Sequence, residues 1–313
     1  MSRSVLRIGT RKSPMALAQS GQVAEMITDR TGNDVELVGL TSFGDVTRAE
    51  LTQIGGTGVF VSALRESLLA CDIDLAVHSL KDLPTAPLPG ITLAAVPVRD
   101  DPRDALIGRD GGKLADLPAG ARVGTGSPRR AAQLRLMRAD ICPVAVRGNA
   151  GTRMAKVTSG ELDAVVLAYA GLARIGQLDR VTELFEPSEM VPAPGQGALA
   201  VECRDAEPDL AAMLDCVNDP ASRAAVTAER TVLAELQAGC SAPVGAYAAG
   251  TEILHLTAVV MGDDGTTLRA SASGPAAEAA RLGHAVAAHL LRRGARTATA
   301  AAARSMSNGD DEQ

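Results

Sequence analysis

One short pattern occurs twice and constrains the fold more than anything else in the chain. Residues 8–14 read IGTRKSP and residues 123–128 read VGTGSP. Each time an apolar run ends in Gly-Thr, and Ser-Pro then opens a stretch with helical spacing. Ser13 suits an N-cap and Pro14 the first helical turn, where a missing N–H costs nothing. Leu17, Val23, Met26 and Ile27 then fall on one face. The same unit of strand, polar turn and helix in two places predicts two similar α/β lobes. Further strand and helix runs alternate through 34–42, 59–70, 74–82, 91–98, 121–137, 142–160 and 163–176. That alternation predicts βαβ units and largely parallel, doubly wound sheets. Such sheets bind ligands at the carboxyl ends of their strands, so two lobes predict a cleft between them.

Residues 190–204, MVPAPGQGALAVECR, contain two prolines and two glycines and then a strand. They read as a crossing back to the first lobe. From about residue 219 the pattern changes. A helix over 221–236 precedes the loop LQAGCSAPVG, and two strands flank the turn GDDG at 262–265. A last helix spans about 275–293. The predicted division is lobe one over 1–98 with 197–216, lobe two over 99–196, a small α+β third domain over 217–294, and a frayed tail over 295–313.

Composition excludes several functions. The net charge of −6 and an aromatic content of 2% leave no stacking platform and no general pull toward nucleic acid. No apolar stretch is long enough to span a bilayer. There is no signal-peptide core, and five cysteines without close spacing give no disulfide framework, so a cytoplasmic protein is expected. No CxxC occurs and His78, His255, His284 and His289 are dispersed, so no metal is expected.

Cations recur at strand-to-helix turns: Arg11 and Lys81 in lobe one, and Arg129, Arg130, Arg147, Arg153 and Arg174 in lobe two. A positive side chain at a helix N-terminus opposes the dipole. The placement makes sense when an anion lies among these groups, and the guanidinium fork suits carboxylate or phosphate. In AVHSLKDLPT (76–85) a strand end delivers His78, Lys81 and Asp82 together. His78 reads as a packed strand-end histidine, and Asp82 as a carboxylate kept ionised among cations. Cys240 sits between Gly239 and Ser241 in a turn, where a sulfur is reachable. The residues by themselves predict an anion-binding cleft with one carboxylate and a candidate nucleophilic thiol. A non-catalytic two-lobed anion-binding protein fits the arginines equally but leaves Asp82 and Cys240 without a purpose. A nucleotide enzyme is disfavoured because neither glycine-rich turn has the GxxxxGK[ST] spacing.

IGTRKSPMALAQ, AVHSLKDLP, GTGSPRRAAQL, RGNAGTR, PAPGQGAL and AGCSAPVGAYA, taken in order over about residues 5–293, closely resemble the porphobilinogen deaminase (hydroxymethylbilane synthase) family. The resemblance implies a monomeric transferase of tetrapyrrole (heme) biosynthesis with two lobes of periplasmic-binding-protein type. It joins four porphobilinogen units head to tail with release of ammonia. It also implies a dipyrromethane primer attached to Cys240 through a thioether. Asp82 matches the catalytic carboxylate. Arg11, Arg129, Arg130, Arg147, Arg153 and Arg174 match positions that hold acetate and propionate side arms. Lys81, Ser13, Thr125, Ser127 and Asn149 match further binding positions, Phe60 an aromatic packed on a pyrrole, and Gln19 and Gln196 residues of the cleft. Three positions depart from the family pattern: Thr57 stands where a lysine is common, Gly126-Ser127-Pro128 replaces Ser-Ser-Leu, and Met15 replaces leucine.

Overall fold

In the computed structural model the described residues are 5–40, 58–239, 242–262 and 265–295, with the side chains of 58–60 excepted. They form two compact units, residues 1–100 with 197–223, and residues 101–196 with 224–313.

In chain order the first unit holds β1 (Leu6–Arg11), α1 (Pro14–Thr31), β2 (Val35–Leu40), α2 (Gly58–Leu69), β3 (Leu75–Ser79) and β4 (Ile91–Ala95). The second unit follows with β5 (Asp104–Gly108), β6 (Arg122–Thr125), α3 (Pro128–Met137), β7 (Cys142–Ala145), α4 (Ala150–Thr158), β8 (Ala164–Ala168), α5 (Tyr169–Arg174) and β9 (Glu183–Phe185). The chain then returns to the first unit for β10 (Leu199–Arg204) and α6 (Pro208–Leu214). The helix α7 (Pro220–Glu235) leads to β11 (Val244–Ala249), β12 (Ile253–Met261), β13 (Thr267–Pro275) and α8 (Ala279–Arg292).

The first two sheets share one plan. Their orders are β2-β1-β3-β10-β4 and β7-β6-β8-β5-β9. In each, the first three strands are parallel, the fourth is antiparallel to the third, and the fifth is antiparallel to the fourth. The repeat seen in the sequence is therefore a repeat of topology. The expected largely parallel sheets are mixed sheets. The fourth strand of each is reached by a segment crossing from the other unit rather than by a helix over the sheet, so it need not run parallel.

The Gly-Thr pairs occupy the same place in both units. A Cβ on Gly9 would lie 2.3 Å from Ile73 Cδ1, and one on Gly124 would lie 2.5 Å from Leu162 Cδ1. Ile73 and Leu162 each stand two residues before the third strand of their sheet. Both glycines are there so that an apolar side chain can lie flat against the backbone. Ser13 Oγ accepts from Ala16 N at 3.3 Å, so the predicted N-cap forms, and Ser127 Oγ accepts from Arg130 N at 3.4 Å, so the second Ser-Pro helix start is capped in the same way.

Leu6, Ile8, Val23, Ile27, Leu75, Val77, Leu199 and Val201 form the core under α1. Leu106, Val123, Leu134, Ala164, Val166 and Phe185 do so under α3. The third sheet, order β11-β12-β13, is antiparallel and packs its apolar face on α7 and α8. The strand β11 lies where the sequence reading had only a loop. The strands β5 and β9 and the helix α6 were likewise not anticipated.

Candidate active site

In the first unit the carboxyl ends of β1 and β3 carry the predicted residues. Arg11 ends β1, and Ser13 caps α1. Gln19 is buried one turn further along α1, and its Nε2 donates to Ser79 Oγ at 2.6 Å, tying the helix to the end of β3. A short 3-10 turn, Leu80–Asp82, follows at once. Asp82 is half-buried, and among the described residues its carboxylate has no hydrogen-bond or ion-pair partner. Lys81 precedes it in the same turn. Phe60 opens α2, and its side chain lies outside the described residues.

Behind this turn is a buried ionic cluster. Glu202 on β10 accepts from Arg65 Nε at 3.0 Å and Nη2 at 2.7 Å, and His78 Nε2 on β3 lies 3.2 Å from Glu202 Oε2. Burial alone would raise the Glu202 pKa, but the His78 imidazole and the Arg65 guanidinium outweigh it and hold the group at about 2. His78 packs as expected for a strand-end histidine, 6% exposed. Glu202 and Arg65 were missed. The available signal was a lone charge inside the apolar run ALAVEC, since a carboxylate in a buried strand must find a partner.

In the second unit the corresponding turns follow β6, β7 and β8. Thr125 ends β6 and is buried, and its Oγ1 accepts from Ser127 N at 3.2 Å. Asn149 caps α4, accepting from Thr152 N at 2.8 Å. Arg153 Nε donates to Gly148 O at 2.8 Å, and its Nη atoms lie over Gly126, 3.7 Å from where a Cβ would stand. A Cβ there would also meet Val146 O at 2.8 Å, which accounts for glycine at position 126. Burial and the charge of Arg130 both push the Arg153 pKa down. Arg147 is exposed, and among the described residues no carboxylate pairs with Arg147 or Arg153. Arg174 closes α5.

The arginine pair is differently placed. Arg129 and Arg130 are buried, at 2% and 6% exposure, around Asp104, which is fully buried. Arg129 Nη1 donates to Asp104 Oδ2 and to Val191 O, both at 2.8 Å. Arg130 donates to Asp104 Oδ1 and reaches Val166 O at 3.1 Å. Gln196, also fully buried, donates from Nε2 to Asp104 Oδ1 at 2.8 Å and to Pro102 O at 2.7 Å. Arg129 thus faces inward, while Arg130 lies between Asp104 and the Arg153 side of the turn. Asp104 was not anticipated. In the sequence it is one of several aspartates in RDDPRDA, and nothing local distinguishes it.

Of the cysteines, Cys71 and Cys142 are exposed free thiols and Cys216 is half-buried. Cys203 is buried, and burial pushes its thiol up to about 11. Cys240 and Thr57 lie outside the described residues. Among the described residues no group of His, Cys, Asp or Glu is arranged to hold a metal, and no helix is long and apolar enough to cross a membrane.

Among the described residues, the first unit thus holds the Asp82 carboxylate at a strand-end turn without a partner, and the second unit holds Arg147 and Arg153 at such turns without a carboxylate beside them. The family model "Porphobilinogen deaminase, dipyromethane cofactor binding domain" matches residues 6–212, and "Porphobilinogen deaminase, C-terminal domain" matches residues 223–292. The chain belongs to the porphobilinogen deaminase family. The porphobilinogen deaminase of Thermobifida fusca is 63% identical over 269 residues, covering 85% of this chain and 84% of the relative. Porphobilinogen deaminase 1 of Streptomyces coelicolor is 53% identical over 310 residues, covering 94% and 97%. Among solved structures, a periplasmic substrate-binding protein of an ABC transporter from Coxiella burnetii is 14% identical with a TM-score of 0.43, covering 70% of this chain and 94% of that one. The activity is the transferase activity of the family, condensation of porphobilinogen with a dipyrromethane cofactor. The non-catalytic reading of the two lobes is set aside.

Proposed function

We propose a division of labour among the residues for this reaction. Asp82 is the catalytic carboxylate. Cys240 is the attachment point of the dipyrromethane. Arg11, Arg130, Arg147, Arg153 and Arg174, with Lys81, hold the acetate and propionate arms. Ser13, Thr125, Ser127 and Asn149 add hydrogen bonds from the caps and turns they occupy, and Gln19, Phe60 and Gln196 shape the surroundings. Arg129 contributes through Asp104, which it helps to hold.

The observation that carries this reading is the placement of Arg147 and Arg153 at turns without a carboxylate beside them. Arg130 and Arg153 repel one another there. An unpaired, partly desolvated guanidinium is costly and becomes favourable once a carboxylate arrives. A dipyrromethane bearing acidic side arms fits this donor set of guanidinium, hydroxyl and amide groups. When bound, it supplies the pyrrole carbon to which the first substrate unit is joined.

Asp82 would accept pyrrole N–H bonds, stabilise the cation left as ammonia departs, and carry a proton to the leaving amine. The fully solvated alternative, water, offers no fixed charge at that point.

Intact mass of the purified protein tests the reading. An excess of one dipyrromethane, mapped to Cys240 and lost in Cys240→Ser, is the expected result. An active protein of unmodified mass would overturn it. Asp82→Ala should keep the fold and lose a factor of about 10² to 10⁴ in kcat. A near-normal rate would remove Asp82 from the chemistry. The same reading makes the protein a cytoplasmic monomer, which light scattering checks for the oligomeric part.

A further inference from the structure

The segment from Val191 to Gln196 runs as a strap with partners on two sides. On one side α3 holds it. Gln133 Oε1 accepts from Val191 N at 2.7 Å, Gln133 Nε2 donates to Val191 O at 3.1 Å, and Arg129 Nη1 donates to that carbonyl at 2.8 Å. On the other side lies the third sheet. Ala246 N donates to Pro192 O at 3.0 Å. A Cβ on Gly245 would stand 2.8 Å from Val191 O, so β11 comes into backbone contact with the strap. Val191 also packs with Val259 and Met261 of β12.

Glu229 completes the arrangement. It lies on α7 and is fully buried. Its Oε2 accepts from Gly195 N at 2.7 Å and its Oε1 from Ala248 N at 2.8 Å. One carboxylate therefore joins α7, β11 and the strap. Gly195 adopts φ +75°, and the next residue, Gln196, donates to Asp104, which holds Arg129 and Arg130. Buried hydrogen bonds joined through the Gly195–Gln196 peptide bond thus link α7 and β11, the elements on either side of Cys240 in the chain, to the arginine pair. Every member belongs to the unit formed by residues 101–196 and 224–313.

We propose that Glu229 is a positioning residue that locks the C-terminal domain to the arginine lobe, so that α7 and β11, the elements that flank residue 240 in the chain, and Arg130 belong to one rigid body. This rests on the roles given above to Cys240 and Arg130. The choice of residue follows from its partners. Gly195 N and Ala248 N are both N–H donors, one to each oxygen, and a carboxylate accepts at both oxygens, whereas glutamine accepts at one and presents N–H to the other donor. An arrangement set this way would hold Arg130 steady relative to the elements that flank residue 240, and displacement by about 1 Å is enough to cost on the order of 10²-fold in rate.

The test uses the holoenzyme, Glu229→Gln, and Gln133→Ala, which loosens the strap from its other side. Three quantities are read: hydrogen exchange at Gly195, Ala248 and Val191, the fraction carrying the Cys240 adduct by intact mass, and kcat against KM. In Glu229→Gln, exchange at Gly195 or Ala248 should rise about tenfold. Adduct loading should fall, and kcat should drop by about tenfold or more with KM moved less. Faster exchange with parental loading and kcat would overturn the proposal, and so would parental exchange. Should Glu229→Gln not fold, Gln133→Ala decides by the same criteria, with exchange read at Val191. A parent protein without the adduct would instead sink the assignment of Cys240, and the coupling with it; that outcome shows in the parent before any variant is compared.

Discussion

Asp104 and Arg130 are joined by two hydrogen bonds to one oxygen: Arg130 Nε and Nη2 donate to Asp104 Oδ1 at 2.9 and 2.7 Å, with the carboxylate fully buried. Burial by itself would raise the Asp104 pKa, but Arg129 and Arg130 overcome it and hold the group far below the carboxylate range. Asp104→Asn leaves two buried guanidiniums without a counter-charge. The expected loss is about 3–5 kcal/mol in urea unfolding. A loss under about 1 kcal/mol would show that the pair is solvated rather than locked.

The two classes of arginine separate by experiment. Arg130→Leu strips Asp104 of half its compensation, so it should lower stability by about 3 kcal/mol as well as weaken binding. Burial against Asp104 is what couples the loss of Arg130 to stability. Arg147→Leu removes an exposed cation and should leave stability within about 0.5 kcal/mol while raising KM or reducing adduct loading. Equal effects of the two on unfolding would contradict this distinction.

Glu202 gives the first unit an acid limit. Its folded value of about 2 lies below the ordinary 4.5. A depressed carboxylate contributes stability that is full above the unfolded value and is lost as pH falls from there through the folded value. The contribution is on the order of 3–4 kcal/mol. Glu202→Gln should therefore be less stable than the parent near neutrality. The gap should narrow as pH drops below about 4.5, the range in which the unfolded carboxylate takes up its proton. Urea titrations from neutral to acid pH measure it, and a gap that stays constant would dismiss the linkage.

The matched glycines allow a paired test of the repeat. Gly9→Ala and Gly124→Ala each push a methyl into the end of one buried side chain, Ile73 or Leu162. Each should cost about 1–3 kcal/mol, because the neighbour can shift but has no empty space to enter. Thermal unfolding reads both. A neutral effect at either position would mean that the two turns are not packed alike.

How much was legible in the chain follows from the range of each interaction. Ser13-Pro14 and Ser127-Pro128 announced two helix starts because a cap acts within one turn. The repeat of Gly9-Thr10 at Gly124-Thr125 announced two similar lobes. Asp82, at the end of an apolar strand and beside Lys81, was marked by its immediate neighbours. Residues with long-range partners carried no such mark. Asp104 meets Arg129 and Arg130 across 25 and 26 residues, Arg65 meets Glu202 across 137, and Glu229 meets Gly195 across 34. The strand β11 was hidden because Val244–Ala249 is rich in Gly and Ala and shows little alternation.

The amino-acid sequence by itself determined the repeated strand–turn–helix units, the cation-bearing turns and the family, since each depends on residues a few positions apart or on ordered motifs. Only the tertiary structure decided that Arg147 and Arg153 stand without a carboxylate beside them among the described residues, while Arg129 and Arg130 are neutralised inside. That choice depends on desolvation and on counter-charges brought in by distant strands, and neither is visible until the chain has folded.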